Sequence, residues 1–515
     1  MSLADLARRS ANWLRLGWGM RKLGQAHSDA ERVLAQRALT RVFSQARGIT
    51  MKVGQLMADA DQEETPFQDL LDNIEPMPME QVLPVLARYL GQPVDNVFLN
   101  IEPAYAAASL GQVHRATLQD GMTVAVKIRY PDIDNAIESE LKLAGLMPGL
   151  GPVKRWGFDL QGYKVLLKQN MDRELDYVQE AQYQQRFARD VAVPGLHVPV
   201  VFPAYTRNGV LVQEWVEGVG LSQAALWSVD DRIALGKVLL QTLFTSLFEA
   251  GLVHGDPHQG NYFYRKTTGK PEVVLLDYGC MVPIDQTARL ALLKLILATR
   301  EKTPVSALAC FTAMGFDMDK LSNVVQALPM MCRILFRPFV SQERFRVRDW
   351  DVKKGIEALL GEQKWWFRSA GPADLLLLLR AFQGLARQLE SLQVFTSWWD
   401  ILLASVSDET IQKARALKLP EVPAELENRS RVDAIANALH VKVTENGRNR
   451  AEVSLPAELA LDLKEIMPAE VLDEIQRAGA LDLNMIEKQI IQSGIAPQLV
   501  FEYQSGAKQY KVWLK

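Results

Sequence analysis

Cysteine is scarce in this chain: 3 in 515 residues, Cys280, Cys310 and Cys332, an odd number without metal-ligand spacing. A disulfide framework and a thiolate metal cluster are thereby set aside, and a reducing compartment, the cytoplasm, is the expectation. Charge of one sign is also lacking. A formal net charge of -3 gives no global field that would recruit a polyanion, so no nucleic-acid partner is expected. Histidine numbers 6, and the pair His254 and His258 is interrupted by Gly255 and Pro257, which forbid the helix that would aim both rings at one zinc ion. Long hydrophobic runs are missing as well: Ala373 to Leu379 and its like are too short, or too charged at their flanks, to span a bilayer. The first residues, M-S-L-A-D-L-A-R-R-S, show no uninterrupted apolar region leading to a cleavage site, and export is not expected. What is present is 48% hydrophobic content and length enough for two or three domains with folded cores.

The most informative stretch runs from Leu252 to Met281. It reads L-V-H-G-D-P-H-Q-G-N-Y-F-Y, a polar turn, then V-V-L-L-D-Y-G-C-M. Gly and Pro make His254 to Gly260 a loop, Tyr262 to Tyr264 can extend, Thr267 to Lys270 can turn, and Val273 to Leu276 is a buried-strand run. Such a hairpin places Asp256, Asn261 and Asp277 at its edges. Their order and spacing match the phosphotransfer layout of protein kinases, in which a catalytic-loop Asp precedes an Asn by five positions and an Asp-aromatic-Gly triplet follows the next strand. Mg²⁺ is a hard ion that prefers oxygen, so Asn261 and Asp277 suit it, while Asp256 can orient a hydroxyl or water.

Upstream, residues 1 to about 60 read as helical, with Trp13, Leu14, Leu16, Trp18, Met20 and Leu23 beside Arg8, Arg9, Arg15, Arg21 and Lys22. Such a basic amphipathic start can lie on an anionic membrane as a peripheral contact; a helix packed on its own domain is the plainer reading. Lys52 and Gln55 share one helix face. Two strands flank the Asp120-Gly121 turn, and the second, Val124-Ala125-Val126-Lys127, resembles the kinase strand whose Lys pairs nucleotide phosphates. Ala106 to Gly111 occupies the place of a kinase glycine-rich loop, but its alanines limit backbone approach to phosphate because alanine populates positive φ poorly. A helix carrying R-E-L-D-Y-V-Q-E-A-Q and running to about Arg189 would put Asp176 and Glu180 on one face, with Lys127 and Lys52 as candidate counter-cations. Val210 to Gly218 reads as a strand leaving for a hinge at Glu214, where adenine would contact backbone groups.

These residues together resemble the UbiB/AarF (ADCK-type) family of atypical, protein-kinase-like proteins associated with coenzyme Q biosynthesis. The resemblance covers roughly residues 30 to 400. Lys52-Val53-Gly54-Gln55 matches the K-x-G-Q motif, Ala106-Ala107-Ala108-Ser109 the alanine-rich loop, and Glu174-Leu175-Asp176 the E-x-D motif. Lys127, Glu180, Asp256, Asn261 and Asp277 fill the kinase positions. Tyr278 departs from the usual Phe, and C-terminal transmembrane helices of the kind some bacterial members carry are not found. The resemblance implies that the K-x-G-Q helix covers the cleft, favouring ATPase or small-molecule chemistry over protein phosphorylation.

The expected fold is α+β: a protein-kinase-like two-lobed fold with an N-terminal helical K-x-G-Q extension (1–95), an N-lobe (96–220), a helical C-lobe (221–420) and a small C-terminal α/β module (421–515). In the C-lobe Trp365, Trp366, Trp398 and Trp399 read as core, with isoprenoid binding as the alternative role, and in the tail Asn446-Gly447 signals another hairpin. The expected function is a Mg²⁺- and ATP-dependent kinase-like ATPase or phosphotransferase supporting isoprenoid quinone or related lipid metabolism, with an isoprenoid lipid or quinone precursor as partner. Lys127 would hold phosphates, Glu180 would orient Lys127, Asn261 and Asp277 would hold Mg²⁺, and Asp256 would position the attacking group. Ala106, Ala107, Ala108, Ser109 and Glu214 would border the nucleotide, and Lys52, Gln55, Glu174 and Asp176 would gate the cleft. The rivals are a nucleotide-sensing lipid-binding or scaffold protein and a small-molecule kinase.

Overall fold

The computed structural model describes residues 76–107, 110–131, 133, 160–341, 344–372, 375–436, 438–461, 463–467, 471–473, 475, 481–493 and 495–515. Lys52, Gln55, Ala108, Ser109 and the basic amphipathic start lie outside the described residues. The chain forms two units: one takes its described residues from Met1–Lys154, Asp159–Gln223 and His254–Val282, the other from Arg155–Phe158, Ala224–Val253 and Pro283–Lys515.

The first unit begins with helix α1 (Met79–Leu90), whose Val82, Leu86 and Leu90 recur at four-residue spacing and are buried. It stops at Gly91, whose φ of +72° is the left-handed cap that only glycine adopts without strain. Strands β1 (Phe98–Ala107), β2 (Gly111–Leu118) and β3 (Thr123–Arg129) follow, the last two joined through the expected Asp120-Gly121 turn, with Gly121 at φ +86°. Helices α2 (Leu160–Leu175) and α3 (Tyr177–Asp190) come next, then the short strand β4 (Leu196–His197) and β5 (Val210–Glu214). β1, β2, β3 and β5 form one antiparallel sheet in that order. Alternation sorts its faces: Val124, Val126 and Ile128 join the core that holds α1, while Lys127 lies opposite Leu211 on the other face. Leu211 packs there with Tyr177 and Ala181 of α3 and with Val201.

Two features of this unit differ from the sequence reading. Ala106 and Ala107 are strand residues, in register with Val113 and Gln112, rather than the first residues of a loop. Asp176 is not on a continuous helix face with Glu180. The chain breaks there, and the Asp176 carboxylate accepts the backbone N–H groups of Val178 and Gln179 at 3.1 and 3.0 Å, starting α3 as its N-cap. Its counter-charge is thus helix-end amides.

A buried polar relay ties Met77 to the sheet. The Gln112 side chain accepts the Met77 N–H (2.7 Å) and donates to the Met77 carbonyl (3.1 Å), imitating a strand neighbour. Gln112 also meets His114 Nε2 at 2.9 Å, and His114 Nδ1 meets the Glu102 carbonyl at 2.8 Å. Because a carbonyl only accepts, Nδ1 carries the proton and Nε2 receives the amide. Burial, outweighing the Glu102 carbonyl contact, lowers the His114 pKa and keeps the ring neutral.

The first unit closes with the hairpin β6 (Tyr262–Thr267) and β7 (Lys270–Leu275), turned by Thr268 and Gly269 at φ +50° and +81°. β4 pairs in parallel with β7.

The second unit contains α4 (Val229–Phe244), which runs on into a π turn over Thr245–Ala250, together with α5 (Gln286–Glu301) and α6 (Leu375–Ser391). By length and composition the helix Val229–Ala250 is apolar enough to cross a membrane, unlike the runs noted in the sequence; half of its apolar window is buried in protein. Trp398 is core, 6.2 Å from Phe244, 5.7 Å from Phe339 and 5.6 Å from Trp350 between ring centroids. Trp365 and Trp399 instead offer ring faces to Arg368 and Arg300. The tail forms β8 (Ala438–Glu445), β9 (Arg448–Pro456), β10 (Gln498–Ser505) and β11 (Lys508–Leu514), an antiparallel sheet ordered β9-β8-β11-β10. Asn446 and Gly447, at φ +51° and +75°, supply its expected turn.

Candidate functional site

The site lies within the first unit. Lys127 leaves β3 on the face turned toward α3, and Glu180 stands on the first turn of that helix. Lys127 Nζ donates to Glu180 Oε1 and Oε2 at 2.9 and 3.0 Å and to Asp277 Oδ2 at 2.7 Å. The Glu180 side chain is 1% exposed, that of Lys127 20% and that of Asp277 30%, so the charges sit between a sealed and an open side.

Backbone amides fix both acids. Tyr278 N–H points to Glu180 Oε1 at 3.4 Å, and Gly279 N–H donates to Asp277 Oδ1 at 3.0 Å. A Cβ on Gly279 would touch Asp277 Oδ1 at 3.4 Å and lie 3.7 Å from the Glu174 Cα, which places Glu174 against this turn. The electrostatics follow from burial and pairing. Burial pushes the Glu180 carboxyl up to about 7, against the pull of Lys127. Burial also opposes ionisation of Asp277, but the Lys127 ammonium outweighs it and holds that carboxyl below its ordinary range. Lys127 is itself disfavoured by burial, and the Asp277 and Glu180 carboxylates more than reverse this, raising it well above its ordinary value.

The loop before β6 brings in the other residues. His254 Nε2 donates to the Asp277 carbonyl at 2.8 Å, tying the loop's start to the acidic triplet. Asn261 Nδ2 donates to the Asp256 carbonyl at 2.9 Å, and the Leu276 N–H donates to the Asn261 carbonyl at 2.9 Å. Asp256, Asn261 and the segment that leads into Asp277 are therefore linked through backbone groups. Since the Asn261 amide nitrogen is spent on Asp256, its Oδ1 is the end left for a cation.

Mg²⁺ fits this donor set. Asn261 Oδ1 and the Asp277 carboxylate are hard oxygens, and Mg²⁺ is commonly held by one or two protein oxygens with phosphates and waters completing its shell. No group of three His, Cys, Asp or Glu side chains that could hold a metal unaided exists among the described residues.

Other residues named from the sequence have contacts of their own. The Glu214 N–H donates to the Val200 carbonyl at 2.7 Å, and its carboxylate meets Val200 N–H and His197 Nε2, both at 3.1 Å. Its donor is committed within the protein. Asp176 is engaged as a helix cap, and Ala106 and Ala107 stand at the strand end leading toward the loop. Two residues of the site were missed from the sequence. The sequence reading gives His254 only a zinc-ligand alternative and gives Tyr177 no role, although Tyr177, whose ring lies 5.0 Å from Lys127 Nζ, is three positions from Glu180 and shares its helix face.

Residues 69–306 match the ABC1 atypical kinase-like domain. A Synechocystis protein, the uncharacterized slr0889, is 30% identical over 281 residues, covering 50% of this chain and 68% of that protein. The mitochondrial atypical kinase COQ8 of Saccharomyces cerevisiae is 28% identical over 266 residues, covering 50% and 53%. The probable protein kinase UbiB of Marinobacter nauticus is 30% identical over 257 residues, covering 46% and 47%. The chain spans about half to two thirds of the length of these curated relatives. The matched span contains the four-stranded sheet, α3 and the β6–β7 hairpin, and the fold is α+β and protein-kinase-like.

Proposed function

Because this chain belongs to the UbiB/AarF family of atypical, protein-kinase-like proteins, we propose that it is a Mg²⁺- and ATP-dependent ATPase or phosphotransferase that supports isoprenoid quinone or related lipid metabolism. The observation that carries the reading is the Lys127 ammonium held at 2.9 Å from Glu180 and 2.7 Å from Asp277. A cation so fixed is preorganised for polyphosphate. Bound Mg-ATP supplies the phosphoryl group. The chain's own residues do the rest: Lys127 grips phosphate, Glu180 keeps Lys127 from swinging away, Asn261 and Asp277 present oxygens to the metal, and Asp256 orients the attacking hydroxyl or water. Ala106 to Ser109 border the phosphates, and Lys52 and Gln55, with Glu174 and Asp176, gate the cleft. The quinone connection is supported by the family resemblance and by the relatives named COQ8 and UbiB, while a peripheral contact with the cytoplasmic membrane rests on the basic amphipathic sequence at the start of the chain.

A nucleotide-sensing lipid-binding or scaffold role has one observation in its favour. Asp277 and Lys127 are paired directly, so an arriving metal and phosphate would separate them and change the site. Product analysis of the purified full chain with Mg-ATP, with and without a quinone-precursor mimic, tests both. Phosphate release or a phosphorylated mimic is expected; Mg-ATP binding without any product would select the sensing role, and no binding would end both.

A further inference from the structure

The Lys127 ammonium has a third neighbour besides its two carboxylates. Tyr177 opens α3, and the centre of its ring lies 5.0 Å from Lys127 Nζ. A cation within about 6 Å of an aromatic centroid is attracted by the ring's negative face, most strongly where water is excluded. The side chain is 1% exposed and packs with Ala181, Val201 and Leu211. One helix turn thus offers both a ring and the Glu180 carboxylate to the same ammonium.

The far end of the ring is equally constrained. A Cβ on Gly111 would fall 2.8 Å from the Tyr177 hydroxyl oxygen and 2.4 Å from the Ile128 carbonyl oxygen, so β2 and α3 approach closely only because position 111 is glycine. The hydroxyl itself has no hydrogen-bond partner among the described residues. A buried hydroxyl without a partner is a net cost, and the ring's contacts must offset it.

We infer that Tyr177 is a positioning residue: its ring seats the Lys127 ammonium between Glu180 and Asp277, and its contact with Gly111 ties the start of β2, beside the alanine-rich turn, to the same helix turn. This seat exists without nucleotide. Its consequence for nucleotide binding rests on the function proposed above.

The test is trace acetylation of the full-length protein, with Lys127 modification read by peptide mass spectrometry at one pH. Tyr177→Leu and Tyr177→Met remove the ring at different cost in volume, Tyr177→Phe keeps it, and Val201→Ala opens the same cluster without touching the ammonium. Lys127 is expected to become about fivefold to tenfold more reactive in folded Leu or Met variants, and to stay within about twofold of the parent in the Phe variant. Unchanged reactivity in the ringless variants, or an equal rise in Val201→Ala, overturns the inference. Mg-ATP affinity is then measured on the same proteins. A loss that tracks the acetylation supports both readings, whereas raised acetylation with unchanged affinity preserves the positioning role and removes Lys127 from the nucleotide site.

Discussion

Two ion pairs of nearly equal length stand in opposite surroundings. Lys127 meets Glu180 at 2.9 Å with side-chain exposures of 20% and 1%, while Arg450 meets Glu445 at 2.8 Å on the C-terminal sheet with exposures of 67% and 26%. Distance therefore does not distinguish them. In the first pair desolvation is large, and the arrangement holds because a second carboxylate and two backbone amides share the charge; in the second, water screens both partners. The buried arrangement is sensitive to any single deletion, and the exposed one is not.

Four experiments sharpen or break this contrast. The largest effect is expected from Glu180→Gln, which leaves Lys127 with Asp277 alone; because burial already disfavours the ionised Glu180, the loss of its charge-assisted hydrogen bonds should cost about 2 kcal/mol in urea unfolding, and a loss below about 1 kcal/mol would place the buried pair beside the surface ones. Asp277→Asn preserves the shape that accepts the Gly279 amide but removes a charge. Thermal stabilisation by Mg-ATP should disappear, and stabilisation equal to the parent's would dismiss Asp277 as a metal ligand. Next is His114, whose neutral form is favoured by burial. With its folded pKa below the unfolded value of about 6.5, its contribution is complete above that pH and is lost as pH falls toward the folded pKa. Because the raised Glu180 carboxyl stabilises the fold as pH falls through about 7, the His114 effect is read as a difference: between pH 7.5 and 5.5 the parent should lose stability relative to His114→Gln, and a difference that does not change with pH would remove His114 from the acid response. The smallest change is expected from Lys442→Ala, which breaks an exposed 3.6 Å pair with Glu452 and should alter stability by no more than about 0.5 kcal/mol.

The parts of the fold written in local sequence were readable. Asp120-Gly121 and Asn446-Gly447 demand positive φ, and the strands around them follow. The spacing of Asp256, Asn261 and Asp277 was equally direct, because a short hairpin leaves few ways to connect them. Contacts set by distant residues were not readable. Gln112 reaches Met77 across 35 positions with a side chain that imitates backbone, and no periodicity encodes that. Asp176 shows the limit from another side: four-residue spacing from Glu180 suited a shared helix face, yet aspartate is also a strong N-cap residue, and capping decided the break. The helix Val229–Ala250 is hard to read as an apolar span because its start, Asp230 and Asp231 followed by Arg232, is polar while the turns after it are not.

The discontinuity of the first unit has a consequence in time. Lys127 and Glu180 are 53 positions apart, but Asp277 lies 150 positions beyond Lys127. At roughly 5–20 residues per second of synthesis, the growing chain carries Lys127 for about 8–30 s before its second carboxylate exists. During that interval the sheet and α3 can form, but the hairpin that completes the triad has not been made. The ordering suggests a folding sequence in which the early sheet waits for a late segment. Refolding of the full chain, which starts with every segment present, is expected to complete the Lys127 environment faster than synthesis does.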